Sequence, residues 1–369
     1  MAVTACPALE SAIAPHLRED RTVPARLPNT EYQPPFPAYV ARFPESLKDV
    51  VMAIFGAQYY AAGQADHGSG LQKLLTFMQS SNSNSPHHWE LASVTDTTGA
   101  YNEIVIAYWG ETSAYESWRK ASGFDDWWSG LDAETEQHGW FAEVFLPSID
   151  RYEAIFSDTA KGTKPEGAGA MCSHMSDAVQ EHVYWGSMRD RLPKSQTDAL
   201  ESGKISSDNA SKDTAKSRIR IPGLENLCVI RSGQDWSKTL PEEHKLYTET
   251  MHPVLTEGMN FLRDQGGEIG CFSCRFMDVL DPQTMKSGIE QTFGLAYFDD
   301  IASLEKWSKE HQTHLNIFGG FLRYAKQLNF QLTLHLYHEV LVLKPEQQLF
   351  EYIGCHHSTG MLGGLKATS

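Results

Sequence analysis

The chain has 369 residues, 41% of them hydrophobic and 21% charged, and 47 acidic against 31 basic side chains leave a formal charge of −16. That length supports a sizeable core and more than one structural unit. The acidic balance, with no Lys/Arg-rich run, speaks against nucleic acid or anionic lipid as a partner, and no apolar run nears the ~20 residues that cross a membrane.

The N-terminus carries no basic stretch and places Glu10 where a secretion signal would be apolar, so no secretion is expected. Six cysteines make no disulfide scaffold, and reduced thiols in a cytoplasm are expected. Residues 1–48 include TEYQPPFPAYVARFP (30–44) and are expected to wrap over the surface. Residues 49–156 read as a strand (DVVMAIFGAQYY), a helix (SGLQKLLTFMQ) and a second strand (HWELASVT). A third strand ending in IVIAYWG, a helix and a closing strand (GWFAEVFLP) follow. Residues 157–223 form a loop-rich connector with YWGSMRDRLPKSQTD (184–198) at its centre, and the polar stretch 201–217 is expected to be an exposed loop. Residues 224–345 repeat the earlier order: ENLCVIRS, a long helix from Pro241 to Asp264, IGCFSCRFMDVL, TFGLAYFDD, a helix, and LTLHLYHEVLVL (332–343). A tail, 346–369, ends the chain.

The repetition is visible in the letters. IVIAYWGETSAYESW (104–118) matches TFGLAYFDDIASLEKW (292–307), with Ala107 and Trp118 corresponding to Ala296 and Trp307. The order β-α-β-β-α-β, twice, predicts an α+β fold of duplicated ferredoxin-like units, forming a β-barrel-like sandwich flanked by helices.

KEHQTHLNIF (309–318) carries His311 and His314 on an amphipathic stripe with Leu304, Trp307, Phe318, Phe321 and Leu322. Satisfied core histidines, zinc ligands and an axial haem ligand are all compatible with that spacing. Zinc would need a third protein ligand. Haem would need one histidine and an apolar, aromatic pocket, and Gly319 and Gly320 would let a flat ring approach. At the repeat offset of 189 residues His314 corresponds to Asp125, so any site here belongs to the second half alone. In the closing strand His338 shares a face with Leu334, Leu336, Val340 and Val342, while His335 shares the other with Thr333, Tyr337 and Glu339. Arg189 or Arg191 could clamp an acidic or polar group, and Ser232 stands at a strand end with no G-x-S-x-G elbow around it. Cys271 and Cys274 form a lone CxxC followed by Arg275, which excludes covalent c-type haem attachment and reads as strand.

Several of these stretches occur together elsewhere. EYQPPFP (31–37), YWGSMRDRLPKSQTD, IRSGQDW (230–236), THLNIF (313–318), LYHEV (336–340), and FEYIGCH with TGML (350–362) stand in the same order in the aldoxime dehydratases. The chain resembles that family over nearly its whole length. The resemblance implies a haem b enzyme, usually homodimeric, that turns an aldoxime, R–CH=N–OH, into a nitrile and water. It implies His314 as the proximal iron ligand, with Phe318 and Phe321 in the haem pocket, and His338 as the distal general acid and base. Ser232 and Arg191 would be the distal polar groups, and Glu153 of DRYEAIF the acidic partner of Arg191. The substrate nitrogen would meet ferrous iron. The segment QLNFQLTLHL is longer than the family pattern, so spacing does not choose between His335 and His338; strand alternation and the word LYHEV favour His338. Peroxidase or chlorite-decomposing chemistry, or a non-catalytic haem carrier, are the competing expectations.

Overall fold

The computed structural model describes residues 9–27, 32–60, 68–80, 84–159, 165–202 and 213–364. Parts of the expected N-terminal wrap, of the connector and most of the polar stretch 201–217 lie outside these described residues.

Among the described residues, thirteen strands form one sheet. They are β1 (Tyr39–Arg42), β2 (Val51–Tyr59), β3 (His88–Thr95), β4 (Tyr101–Trp109), β5 (Gly139–Phe145), β6 (Tyr152–Phe156) and β7 (His174–Met175). The rest are β8 (Arg218–Ile221), β9 (Leu227–Asp235), β10 (Cys271–Leu280), β11 (Gln291–Phe298), β12 (His335–Leu343) and β13 (Gln348–Ile353). The helices are α1 (Ser69–Met78), α2 (Thr112–Ala121), α3 (Phe124–Gly130), α4 (Pro241–Leu246), α5 (His252–Gln265), α6 (Ile301–Glu310), α7 (Gln312–Gln327) and the short α8 (Met361–Gly364).

The strand order is β7-β1-β6-β12-β9-β11-β10-β3-β4-β2-β5-β13-β8, and every ladder is antiparallel. The four main strands of each half follow one order, β5-β2-β4-β3 in the first and β12-β9-β11-β10 in the second. The halves meet where β10 pairs with β3. They also exchange edge strands: β6 follows the first half in sequence but pairs with β12, and β13 follows the second but pairs with β5.

Burial explains why these strands are apolar in unbroken runs rather than alternating. All nine residues of β2 are buried, because one face meets helices and the other meets the opposite half. The interior between halves packs Met52, Phe141 and Phe145 with Met277, Phe293 and Leu341. The outer face of the first half is covered by α1–α3 through Phe55, Trp109, Trp118 and Phe124. The outer face of the second half meets α5 and α6 through Met259, Leu304 and Trp307, and there a deep cleft remains. Among the described residues no helix is long and apolar enough to cross a membrane.

Two expected helices are interrupted. The helix through 309–318 breaks at His311, which turns extended (φ −80°, ψ 136°) and caps α7 by accepting the Thr313 N–H. The long helix from Pro241 widens into a π turn at Tyr247–Met251 just ahead of Pro253, which has no N–H to give the regular ladder.

Candidate active site

The floor of the cleft is the outer face of β9, β11 and β12; its opposite wall is α7. Met251, Leu255 and Met259 close one side, and the segment His182–Met188 closes another. Phe36 stands at the mouth, with ring centroids 5.3 Å from Phe321 and 6.1 Å from Phe330. The cleft encloses about 1310 Å³ of atom-free space, counting its open mouth.

Strand alternation places the polar groups on that floor. Ser232 and His338 are direct partners in the β9–β12 ladder. Both face the cleft, and Ser232 Oγ lies 2.9 Å from His338 Nε2. Gly233, next in β9, lies under the ring of its partner Tyr337 on the inner face. Gln234 Nε2 donates to the Ser232 carbonyl at 3.0 Å. The Trp185 ring sits 4.7 Å from the His338 ring and roofs it.

Two of the cleft histidines, His338 and His314, are uncharged at neutral pH. Burial, and then the charges of Arg191 and His314, push His338 down to about 3. Burial pushes His314 down to about 4. Nδ1 of each is buried and has no hydrogen-bond partner. His314 lies on α7 against Trp307, with ring centroids 4.8 Å apart, and Phe318, Phe321 and Leu322 continue its side of the cleft. Phe318 and Leu322 remain 40% and 39% exposed because they face the cleft rather than a packed core.

A haem suits this chemistry. A neutral imidazole whose buried Nδ1 has no partner, on one wall of an apolar, aromatic cleft, suits haem iron as a donor. Gly294 and Ala296 keep the floor shallow beneath it. A zinc site lacks its partners: among the described residues no group of three or more His, Cys, Asp or Glu could hold a metal ion.

The remaining expected residues separate cleanly. The 3₁₀ turn at Arg189–Arg191 points its two arginines apart. Arg189 braces α6, with Nε and Nη2 at 3.0 and 2.9 Å from Glu305 Oε2. Arg191 grips Glu153 through two bonds, Nε to Oε2 at 2.8 Å and Nη2 to Oε1 at 2.9 Å, both side chains fully buried. Burial pushes the Glu153 carboxyl up against the lowering pull of Arg191. Glu153 pairs with Val340, two residues beyond His338 on the same face, so the ion pair stands behind the cleft floor rather than in the cleft itself.

His311 stacks on Phe261 at 4.1 Å and does not line the cleft. His335 points to the other face of β12 and is held between Asp158 (2.7 Å) and Glu166 (3.0 Å), which push its pKa up to about 10. Cys271 and Cys274 are separate buried thiols, and all five described cysteines are free.

Sequence reasoning missed three features. His182 and Trp185 line the cleft, His182 with an unpartnered Nδ1. The face of β12 that carries Tyr337 and Glu339 is not a solvent face but the interior between halves. There Glu339 accepts from Tyr108 Oη (2.7 Å), Ala168 N (2.9 Å) and Arg231 Nη1 (3.2 Å), and also from Tyr152. Glu143 gathers Tyr352, Tyr297 and Arg275 at the corresponding place in the other half. The signal was present: Arg231 and Glu339 each adjoin a cleft residue, so period two sends both inward.

The family model for haem-containing dehydratases matches residues 53–361. The chain is 39% identical over 355 residues to an aliphatic aldoxime dehydratase of Pseudomonas chlororaphis, covering 96% of this chain and 98% of that one. It is 30% identical over 342 residues to a phenylacetaldoxime dehydratase of Bacillus sp. (strain OxB-1), covering 91% and 94%. A crystal structure of an aldoxime dehydratase in complex with butyraldoxime is similar at TM-score 0.87 and 35% identity, with 96% of each chain covered.

Proposed function

Because this chain belongs to the haem-containing dehydratases, we propose that it is a lyase converting aldoximes to nitriles and water. The observation that carries the proposal is the Ser232–His338 pair, 2.9 Å apart on one wall of an apolar cleft whose other wall bears the neutral His314.

Haem b would be held by His314, with Phe318 and Phe321 lining the same cleft, and would supply an electron-rich ferrous iron for the aldoxime nitrogen. The protein must do the rest. Hydroxide is a poor leaving group, so a positioned acid has to protonate the oxime oxygen. His338 suits that task, since burial and the charge of Arg191 make its imidazolium a strong proton donor. Its neutral form then takes the proton lost from carbon, and R–CH=N–OH gives R–C≡N and H₂O in balance. Ser232 holds the hydroxyl toward Nε2, which fixes the approach. Glu153 and Arg191 set the charge behind His338. The resting imidazole is neutral, so its first proton comes from a neighbour or from solvent.

The same strand order in both halves supports two ferredoxin-like units, 49–156 and 224–345, closing as a barrel-like sandwich. Residues 1–48 then form the wrap, 157–223 the connector and 346–369 the tail. A homodimer in the cytoplasm completes the proposal, and free cysteines agree with a reducing compartment.

The test is an anaerobic assay of dithionite-reduced, haem-loaded protein against alkyl, arylalkyl and aryl aldoximes, following nitrile by chromatography. Nitrile formed without added oxidant supports dehydration. Turnover only with peroxide or chlorite, or no turnover at all, refutes it.

A further inference from the structure

The sheet has a fork beside the distal site. β1 pairs with β6 for only two residues, Tyr39 with Phe156 and Val40 with Ile155. It then leaves β6, and Ala41 and Arg42 pair with β7 instead. β6 continues the other way through Ala154, Glu153 and Tyr152, still paired to β12. Between the diverging strands lies a cavity of about 40 Å³, walled by Ala14, Arg42, Glu153 and Arg191, with the solvent-exposed His16 at its rim.

Three charged side chains, Arg42, Glu153 and Arg191, stand in a lining that is otherwise largely apolar. Glu153 and Arg191 line it, and neither lines the substrate cleft. Arg42 fixes the wall by donating to the Ala12 and Ser11 carbonyls, each at 2.6 Å. Space of this size holds about one to three waters, and charged walls keep it wet where an apolar void would stay dry. On the cleft side of the same ion pair, Glu153 is a diagonal neighbour of His338 across the β6–β12 ladder. The buried His182 borders the cleft there, with Nδ1 free. The ion pair, itself buried, therefore has this cavity on one side and His338 on the other.

We propose that the β1–β6 fork is a hydrated second entrance to the distal site, through which protons and water pass between bulk solvent and His338 by way of Glu153 and Arg191. Substrate and nitrile, whose bulk is the R group, use the wide apolar mouth beside Phe36. The inference rests on the dehydratase reading for its purpose, since that reaction needs a proton at His338 and makes one water per turnover. Its test does not depend on turnover.

The experiment has two arms on the haem-loaded full chain. A high-resolution crystal structure should show ordered water in the fork touching Glu153 or Arg191; a dry fork overturns the proposal. Ala14→Phe should plug the fork, and Ala14→Ser should leave it open. In stopped-flow pH jumps on the ferric protein, read by the Soret band with butyronitrile filling the mouth, Ala14→Phe should respond about tenfold more slowly. Ala14→Ser should match the parent. An unchanged rate in Ala14→Phe, with normal haem content and Soret position, overturns the route. If Ala14→Phe fails to load haem, His16→Phe at the exposed rim replaces it and is judged by the same rates. Failure of aldoxime turnover with slowed pH response would refute the dehydratase reading while leaving the route intact.

Discussion

Gly233→Ala separates positioning from contact, because residue 233 faces away from the cleft. A Cβ built at Gly233 would lie 2.5 Å from Tyr337 Oη and closer still to the ring carbons Cζ and Cε1. Nothing there is free to yield. Tyr337 is 3% exposed, stacks on Phe156 at 6.2 Å and lies under the Arg231 guanidinium at 5.2 Å. The clash must push the ring or part β9 from β12 by ~1 Å, and overpacking of this kind costs about 1–3 kcal/mol. Gly233 and Tyr337 are ladder partners immediately beside Ser232 and His338, so the same displacement opens their 2.9 Å contact. A misplacement of ~1 Å costs on the order of 100-fold in rate. Gly294→Ala is the control: its Cβ would meet only Met259, Sδ at 2.7 Å and Cγ at 3.9 Å, and an unbranched thioether can swing aside. We expect Gly233→Ala to lower both thermal stability and kcat with haem still bound, and Gly294→Ala to change stability little. A Gly233→Ala protein with parental Tm and kcat would refute the reasoning.

Four further outcomes follow from the site. His314→Ala should lose haem, or bind it only when imidazole is supplied; a normal five-coordinate histidine–haem spectrum in that variant would remove His314 as ligand. His338→Ala should keep haem and lose about 10²–10⁴ in rate, while His335→Ala should leave kcat nearly unchanged; the reverse pattern would overturn the assignment. Arg191→Ala should lose roughly 10- to 100-fold in kcat, and Arg189→Ala should act on stability through Glu305 instead, as paired kinetic and thermal measurements would show. The His335 clamp also carries a pH signature: its folded pKa is raised to about 10, above the unfolded value of about 6.5. Its stabilisation is therefore full below pH ~6.5 and fades as pH rises toward 10. Denaturation of His335→Gln should differ most from the parent at pH 6 and least near pH 10, and a constant difference across that range would refute the clamp.

What the sequence by itself determined was local or periodic. The 189-residue repeat set out two matching strand–helix series and confined the special histidine to the second, since Asp125 stands where His314 would recur. Period two in the closing strand put His338 and His335 on opposite faces before any pairing was known, and the cleft lies on the His338 side. The tertiary structure decided what depends on contacts between distant segments. Which arginine of RDR meets Glu153 follows from the 3₁₀ turn at 189–191 and from β6 crossing to the second half, neither of which leaves a period in the letters. The bend at His311 arises because its side chain caps α7, a local bond that competes with the helix its neighbours would continue. The interior around Glu339 read as a polar face because alternation reports which residues share a side, not what that side meets. There a second half of the molecule, rather than water, supplies Tyr108 and Arg231 to satisfy the buried carboxylate.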